Sequence, residues 1–317
     1  MSCNTVAFGG TGVEISTWEE GMKAFDSYLE AEERSLHTRQ SYRADLRAFA
    51  RWFHVTFQEA PQVGTLIESE LREWKQAMIA KKHKPNSINR RLRCMKSFLR
   101  WANDEGIPVP QRMPKAEKQQ ELRPHWLTTK EEHRLMRTIE KAVRNKDRPL
   151  RDQVIVTVLL RTGIRVDELV NLLWSDVRIS PRAGTFTIRR GKGAKRREVP
   201  VDIVCRELLM HFGYERHRDK DVPLFKGPQG KLTSRTIQRI AEGFRGLANL
   251  PELKCHTLRH TCLRRLIESG AKIQEAARIA GHTSIDTTNL YILPNEADLQ
   301  AAVDRRAAAQ YGESRED

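Results

Sequence analysis

No apolar run in the 317 residues approaches the roughly 18 that a bilayer-spanning helix needs, which excludes such a helix from the sequence reading. No basic stretch followed by an apolar block opens the chain at Met1–Gly12, so no secretory leader is expected and the expected site of action is the cytoplasm or its nucleoid. Cysteine is scarce. The five residues, Cys3, Cys94, Cys205, Cys255 and Cys262, are odd in number and form no Cys-x-x-Cys, which argues against a disulfide framework or a cysteine-rich zinc centre. Internal repeats and low-complexity tracts are absent as well. Acidic residues are the telling shortage: 41 Asp and Glu stand against 56 Lys and Arg, a net charge of +15. A surplus of this size draws polyanions, because neutralising phosphates releases their condensed counterions. Nucleic acid is favoured over acidic lipid, or over a basic protein with no such partner.

With 39% hydrophobic and 31% charged residues the chain reads as globular, and its length suggests about two domains. Residues 1–15 show no apolar period and are expected as a loose tail. Ser16 with Glu19 then forms a capping pattern, followed by Trp18, Met22, Phe25 and Leu29 at helical spacing. A second helix is predicted over about 38–54 through Tyr42, Leu46, Phe49 and Phe53. A third carries Leu71, Trp74 and Met78, and a fourth, after Pro85, carries Ile88, Leu92, Met95 and Leu99. Four amphipathic helices can enclose one core, so 16–105 is expected as a helical domain. Its polar faces show Arg39, Arg43 and Arg47 on one helix and Arg90, Arg91, Arg93, Lys96 and Arg100 on another. A charge run is usually a solvated face. Two such faces almost without acidic partners, with Lys81, Lys82, His83 and Lys84 between helices, point towards phosphate contact.

Prolines at 108, 110 and 114 mark residues 106–125 as a linker. Structure resumes at Thr128, which with Glu131 forms another capping pattern. Val154–Leu160 reads as a buried helix, and 185–190 and 196–201 as two strands joined by a turn at 191–194. Helices are predicted near 202–211, 234–248, 257–269, 272–280, 284–290 and 295–309. The expected class is mainly α with a small β-sheet in the second domain, 126–310, followed by a tail, 311–317.

Three groups of residues carry chemistry. In Thr162-Gly163-Ile164-Arg165, the glycine permits a tight turn and puts Arg165 near a helix start that favours anions, with Glu168 one turn on to orient it. His256 and Arg259 are three apart and share one helix face, where an arginine fork suits two phosphate oxygens. His256 and His260 are four apart, a metal spacing, but Thr257 stands where a zinc-protease glutamate would be and no third ligand is evident. Gly281-His282 precedes Tyr291 by nine positions, and 273–291 alone would also pass for a helix-turn-helix. A lone tyrosine beside an apolar face is ordinarily core.

Taken in order, Arg165, Lys192 in the hairpin turn, His256-x-x-Arg259, Gly281-His282 and Tyr291 resemble the tyrosine recombinase, or phage integrase-like, family. The chain is most similar to Xer-like and transposon-encoded members. Their patterns T-G-x-R-x-x-E-L, G-K-G-x-K-x-R, H-x-L-R-H, G-H and Y appear as Thr162–Leu169, Gly191–Arg197, His256–His260, Gly281-His282 and Tyr291. The resemblance covers 126–310 in motif and 16–105 in architecture. It implies a helical core-binding domain and a catalytic α+β domain that cleaves DNA through a 3′-phosphotyrosine.

Arg165, Arg259, His256 and His282 would then bind phosphate or move protons, and Tyr291 would be the nucleophile. Lys192 would protonate the leaving 5′-oxygen, with Lys195 as rival. No cofactor, ATP or metal is expected, since two arginines and a lysine supply the charge. The partner is a double-stranded DNA site, bound by a tetramer that exchanges strands through a Holliday junction and is a monomer when free. The tail helix, with Leu299 and Val303, is expected either to pack on its own domain or to dock on a neighbouring protomer.

The short N-terminal tail leaves no room for an arm-site domain, which favours dimer or cointegrate resolution, or element movement, over directional phage integration. The rivals are a DNA-binding protein that does not cleave and a topoisomerase-like relaxing enzyme. A mere binder has no need to place six such groups at these intervals.

Overall fold

The structure, a computed structural model, describes residues 17–118, 124–189, 196–282, 286–289, 300, 303, 304 and 306. The expected turn at 191–194 with Lys192, together with Lys195, Tyr291 and most of the expected helix at 295–309, lies outside the described residues. The chain divides into two compact units, Met1–Leu122 and Arg123–Asp317.

The first unit holds four helices: α1 (Trp18–Ala31), α2 (Leu36–Phe57), α3 (Glu68–Ala80) and α4 (Pro85–Asp104). The cap of α1 is Thr17, one residue later than the sequence suggested. Its hydroxyl accepts from the Glu20 backbone N–H, and the Glu20 carboxylate accepts from the Thr17 N–H at 2.9 Å. Ser35 starts α2 earlier than the apolar period implied, and Pro85 opens α4, where a missing N–H does no harm. The apolar stripes face one another as predicted, save that Tyr42 is only partly buried. The core is aromatic: Phe98 lies edge-on to Trp18 and Phe25, with ring centroids 5.0 and 5.3 Å apart.

Part of the expected linker is packed rather than loose. Ile107 is buried, Val109 and Met113 lie against the same core, and Asn89 exchanges two hydrogen bonds with the Glu117 backbone at 2.9 and 2.8 Å. The prolines hide this, because they remove N–H donors without preventing apolar contact.

The second unit begins with α5 (Thr129–Arg144), closed by the expected Thr128–Glu131 capping box. It continues through α6 (Leu150–Thr162), α7 (Val166–Asn171), β1 (Val177–Ile179), β2 (Gly184–Ile188), β3 (Arg197–Pro200), α8 (Ile203–Phe212) and α9 (Tyr214–His217). Next come β4 (Lys226–Gly227), β5 (Gly230–Lys231), α10 (Ser234–Leu247), α11 (Cys255–Glu268), α12 (Ile273–Ala280) and α13 (Asp286–Asn289). The strands form an antiparallel sheet in order β1-β2-β3, with Phe186 opposite both Val177 and Val199, and a small β4–β5 hairpin. β1, β4 and β5 have two or three residues each, too few to show a period of two. Helix α6 is buried from Val154 to Leu160 and packs against α5, α8, α10 and α11. Cys94, Cys205, Cys255 and Cys262 are free and buried.

Truncating Phe98 to alanine is expected to remove about 3–5 kcal/mol from the first unit, the usual loss for a fully buried phenylalanine. Urea unfolding followed by tryptophan fluorescence would measure it, and a loss under about 1 kcal/mol would contradict this account of the core.

Candidate active site

The turn after α6 places Arg165. Gly163 ends that helix at φ +61°, and a Cβ there would come within 3.2 Å of the Cys262 sulfur on α11. Any larger residue would have both a strained backbone and a neighbouring helix to displace. Arg165 is then the N-cap of α7. Glu168 accepts from its backbone N–H at 2.9 Å and from its guanidinium at 3.2 Å, and a second guanidinium nitrogen donates to the Gly281 carbonyl at 2.9 Å. Glu168 thus orients Arg165 as the spacing suggested.

His256 and Arg259 lie on α11, one turn apart. Arg259 is 4% exposed and donates to the carbonyls of Gly163 and Ala280, the latter at 2.7 Å. It also donates to Nε2 of His282 at 2.9 Å. An arginine has no acceptor, so Nε2 must accept, and the His282 proton sits on Nδ1, which donates to the buried Thr288 hydroxyl at 2.8 Å. Four of the six expected catalytic residues are thereby on adjoining elements, and three of them, Arg165, Arg259 and His282, meet at the end of α12. Lys192, Lys195 and Tyr291 are not among the described residues.

This cationic setting governs the histidines. Burial, reinforced by Arg259, Arg165 and Arg197, lowers His282 to about 4. Burial lowers His260 to about 4 as well, with His256 and Arg259 adding to the effect. His256 has an open surface, yet partial desolvation and then Arg259 and Arg165 hold it below the ordinary histidine value. Burial pushes Glu168 up, but its bonds from Arg197 and Arg165 outweigh that and hold it below the usual carboxylate range. His256 and His260 stack with centroids 6.0 Å apart, but among the described residues no group of three His, Cys, Asp or Glu is placed to hold a metal.

The sequence reading named Glu168 but gave Arg197 no role, although Arg197 closes the motif after Lys192. Its two terminal nitrogens donate to the two Glu168 oxygens at 2.7 Å each. The Thr288 hydroxyl and the α12 carbonyls were not foreseen, since no side-chain pattern marks them.

The expected phosphate-binding residues of the first unit divide into two sets, and the expectation that they lack acidic partners is corrected. Asp26 and Glu30 of α1 pair with Arg39, Asp26 also pairs with Arg43, and buried Asp45 pairs with Arg90 at 2.5 Å and Arg91 at 3.6 Å. In every pair the acid comes from a different helix: α1 for Arg39 and Arg43, α2 for Arg90 and Arg91. Arg93 bonds to its own helix at the Asn89 carbonyl. Arg47, Arg93, Lys96 and Arg100 are exposed and make no ion pair among the described residues.

Unfolding stability should fall as pH drops from about 6.5 to about 4. His282 stays neutral when folded in that window while its unfolded form takes up a proton. Urea midpoints between pH 7.5 and 4.5 test this: His282→Gln should flatten the decline, and an unchanged slope would refute the assignment.

Residues 125–297 match the phage integrase family, and 22–106 match the phage integrase N-terminal SAM-like domain. Tyrosine recombinase XerC of Staphylococcus aureus (strain MRSA252) is 28% identical over 277 residues, covering 85% of this chain and 90% of that protein. Among solved structures, XerH site-specific recombinase bound to palindromic difH substrate in a post-cleavage complex has a TM-score of 0.68 at 18% identity, covering 90% of this chain and 84% of that one. A lambda integrase tetramer bound to a Holliday junction has a TM-score of 0.68 at 18% identity, covering 92% and 78%. At that identity the likeness is one of fold. With the family model spanning more than half of its length, the chain belongs to the phage integrase family, the tyrosine recombinases.

Proposed function

We propose that the protein is a site-specific DNA recombinase that cleaves and rejoins strands through Tyr291. The observation that carries this reading is the convergence of Arg165, Arg259 and His282, from three separated motifs, on one cationic site. A phosphodiester transition state spreads charge over its non-bridging oxygens, and fixed guanidiniums suit that charge.

In the proposed reaction the Tyr291 oxygen bonds to phosphorus and the bond to the 5′-oxygen breaks. The leaving oxygen takes a proton from Lys192, or from Lys195 as the rival acid. His256 accepts the phenol proton or bonds a phosphate oxygen. Nε2 of His282 accepts from Arg259 in the free protein, so its donation to phosphate requires it to gain a proton as the anion arrives. An anion beside a low-pKa imidazole raises that pKa, which makes the exchange favourable. The phosphotyrosine conserves the energy for rejoining, so the step needs no nucleotide.

The structural relatives on DNA and on a Holliday junction support a double-stranded DNA partner and a synaptic tetramer, and we take the free protein to be a monomer. Among the described residues no helix is long and apolar enough to cross a membrane. We take the place of action to be the cytoplasm, at the nucleoid, and the role to be dimer or cointegrate resolution or movement of an element. In the first unit, exposed Arg47, Arg93, Lys96 and Arg100 contact phosphate, while Arg39, Arg43, Arg90 and Arg91 do so from positions set by their acids. The two units correspond to a core-binding domain and a catalytic domain.

A duplex nicked near its cleavage site should trap a covalent adduct with the wild type and none with Tyr291→Phe. An adduct that persists in the variant, or no adduct with the wild type, would sink the proposal and leave a DNA-binding protein. A 5′-bridging phosphorothiolate substrate should restore cleavage to Lys192→Ala, because a thiolate leaves without a proton. Restoration of Lys195→Ala alone would move the acid there. Replacing Arg47, Lys96 and Arg100 together with alanine should weaken duplex binding and reduce the slope of log K against log salt by about 0.9 for each phosphate that is no longer neutralised.

A further inference from the structure

Three consecutive carbonyls close the C-terminal end of α12, and each accepts from a different arginine. Ile279 accepts from Nε of Arg197 at 3.4 Å, Ala280 from Arg259 at 2.7 Å and Gly281 from Arg165 at 2.9 Å. Two of these arginines belong to the expected catalytic set. The third, Arg197, is the first residue of β3 and in sequence lies two positions after Lys195.

Its side chain is 11% exposed, and each of its three nitrogens already donates within the protein, two to Glu168 and one to Ile279. A guanidinium so engaged is poorly placed to bind phosphate but well placed to hold a carboxylate in one plane. Glu168 is that carboxylate, and it also accepts from the N–H and the guanidinium of Arg165.

The bonds are unequal. Arg197 takes both Glu168 oxygens at 2.7 Å, whereas the Arg165 side chain makes one bond at 3.2 Å. Arg197 therefore absorbs most of the carboxylate's charge and leaves that of Arg165 available. Without it, Glu168 has a single guanidinium to pair with, and the charge aimed at the substrate is cancelled.

We propose that Arg197 is a positioning residue for the strand-cleavage step. By holding Glu168 in a two-pronged ion pair, it sets the direction and keeps the free charge of Arg165. The proposal rests on the reading of Arg165 as a phosphate-binding group.

The test is single-turnover cleavage of the nicked duplex. Arg197→Ala should cleave about 10²-fold more slowly, the scale expected when a reacting group is misplaced by about an ångström, with duplex affinity within about threefold of wild type. Arg197→Lys, which keeps the charge without the fork, should fall between the two and guards against a misfolded alanine variant. Adding Glu168→Gln to Arg197→Ala should recover part of the lost rate, because the carboxylate that cancels the Arg165 charge is then neutral, and a further loss would count against the inference.

The discriminating substrate carries a methylphosphonate at the scissile position, so one non-bridging oxygen and its charge are gone. There the Arg197→Ala penalty should shrink at least tenfold, because the guanidinium that Arg197 supports has less charge to meet. A merely structural role would give the same penalty on both substrates. That result, or wild-type rates in both variants, overturns the inference. Absence of an adduct with wild-type protein would instead overturn the recombinase reading itself.

Discussion

The C-terminal end of α12 is where the catalytic unit is drawn together. A helix leaves its last carbonyls without partners, and its dipole makes that end negative. Here those carbonyls face Arg165, Arg197 and Arg259, guanidiniums that would be costly to bury unpaired. Each need meets the other, and segments more than a hundred residues apart in sequence are brought to one point. The left-handed Gly281 that ends α12 turns the chain so that His282 follows at once against Arg259. Glu168 is the only carboxylate bonded to Arg165 or Arg197 among the described residues, so the cluster keeps a positive excess.

That excess adds to burial in keeping His282 and His260 neutral. Burial disfavours the charged imidazoles first of all, and adding protons to a site already crowded with guanidiniums compounds it. A phosphate diester reverses the balance. The free protein thus holds like charges together against their repulsion, with the rigid packing of α6 on α11 beneath and the close approach at Gly163 as a seam.

The first unit follows a different rule. Its arginines are steadied by Asp26, Glu30 and Asp45, so much of its positive surface is oriented rather than free. Asp45 shows how finely this is balanced: burial raises its pKa, Arg90 and Arg91 oppose that, and burial prevails. Reading helices two and four as bare basic faces missed these acids. Asp26 and Glu30 lie on α1, and only packing brings them across. The part of the linker that packs, from Ile107 to Glu117, was hidden for a related reason: scattered apolar residues among prolines carry no period.

The amino-acid sequence by itself determined the helical stripes, because burial at a spacing of three and four leaves a pattern in one dimension. The ordered set from Arg165 to Tyr291 was legible as well, as a family resemblance carried by residue types at their spacing. Glu168 was legible as a partner of Arg165, since one helical turn separates them. Arg197 was present in its motif but had no readable task, for its ion pair with Glu168 spans 29 positions. Only the tertiary structure decided that pairing, the tautomer of His282 and the meeting of three arginines on three carbonyls. The physical reason is that backbone acceptors are the same at every residue. Which of them face a buried guanidinium depends on where the chain returns in space, and no local pattern records that.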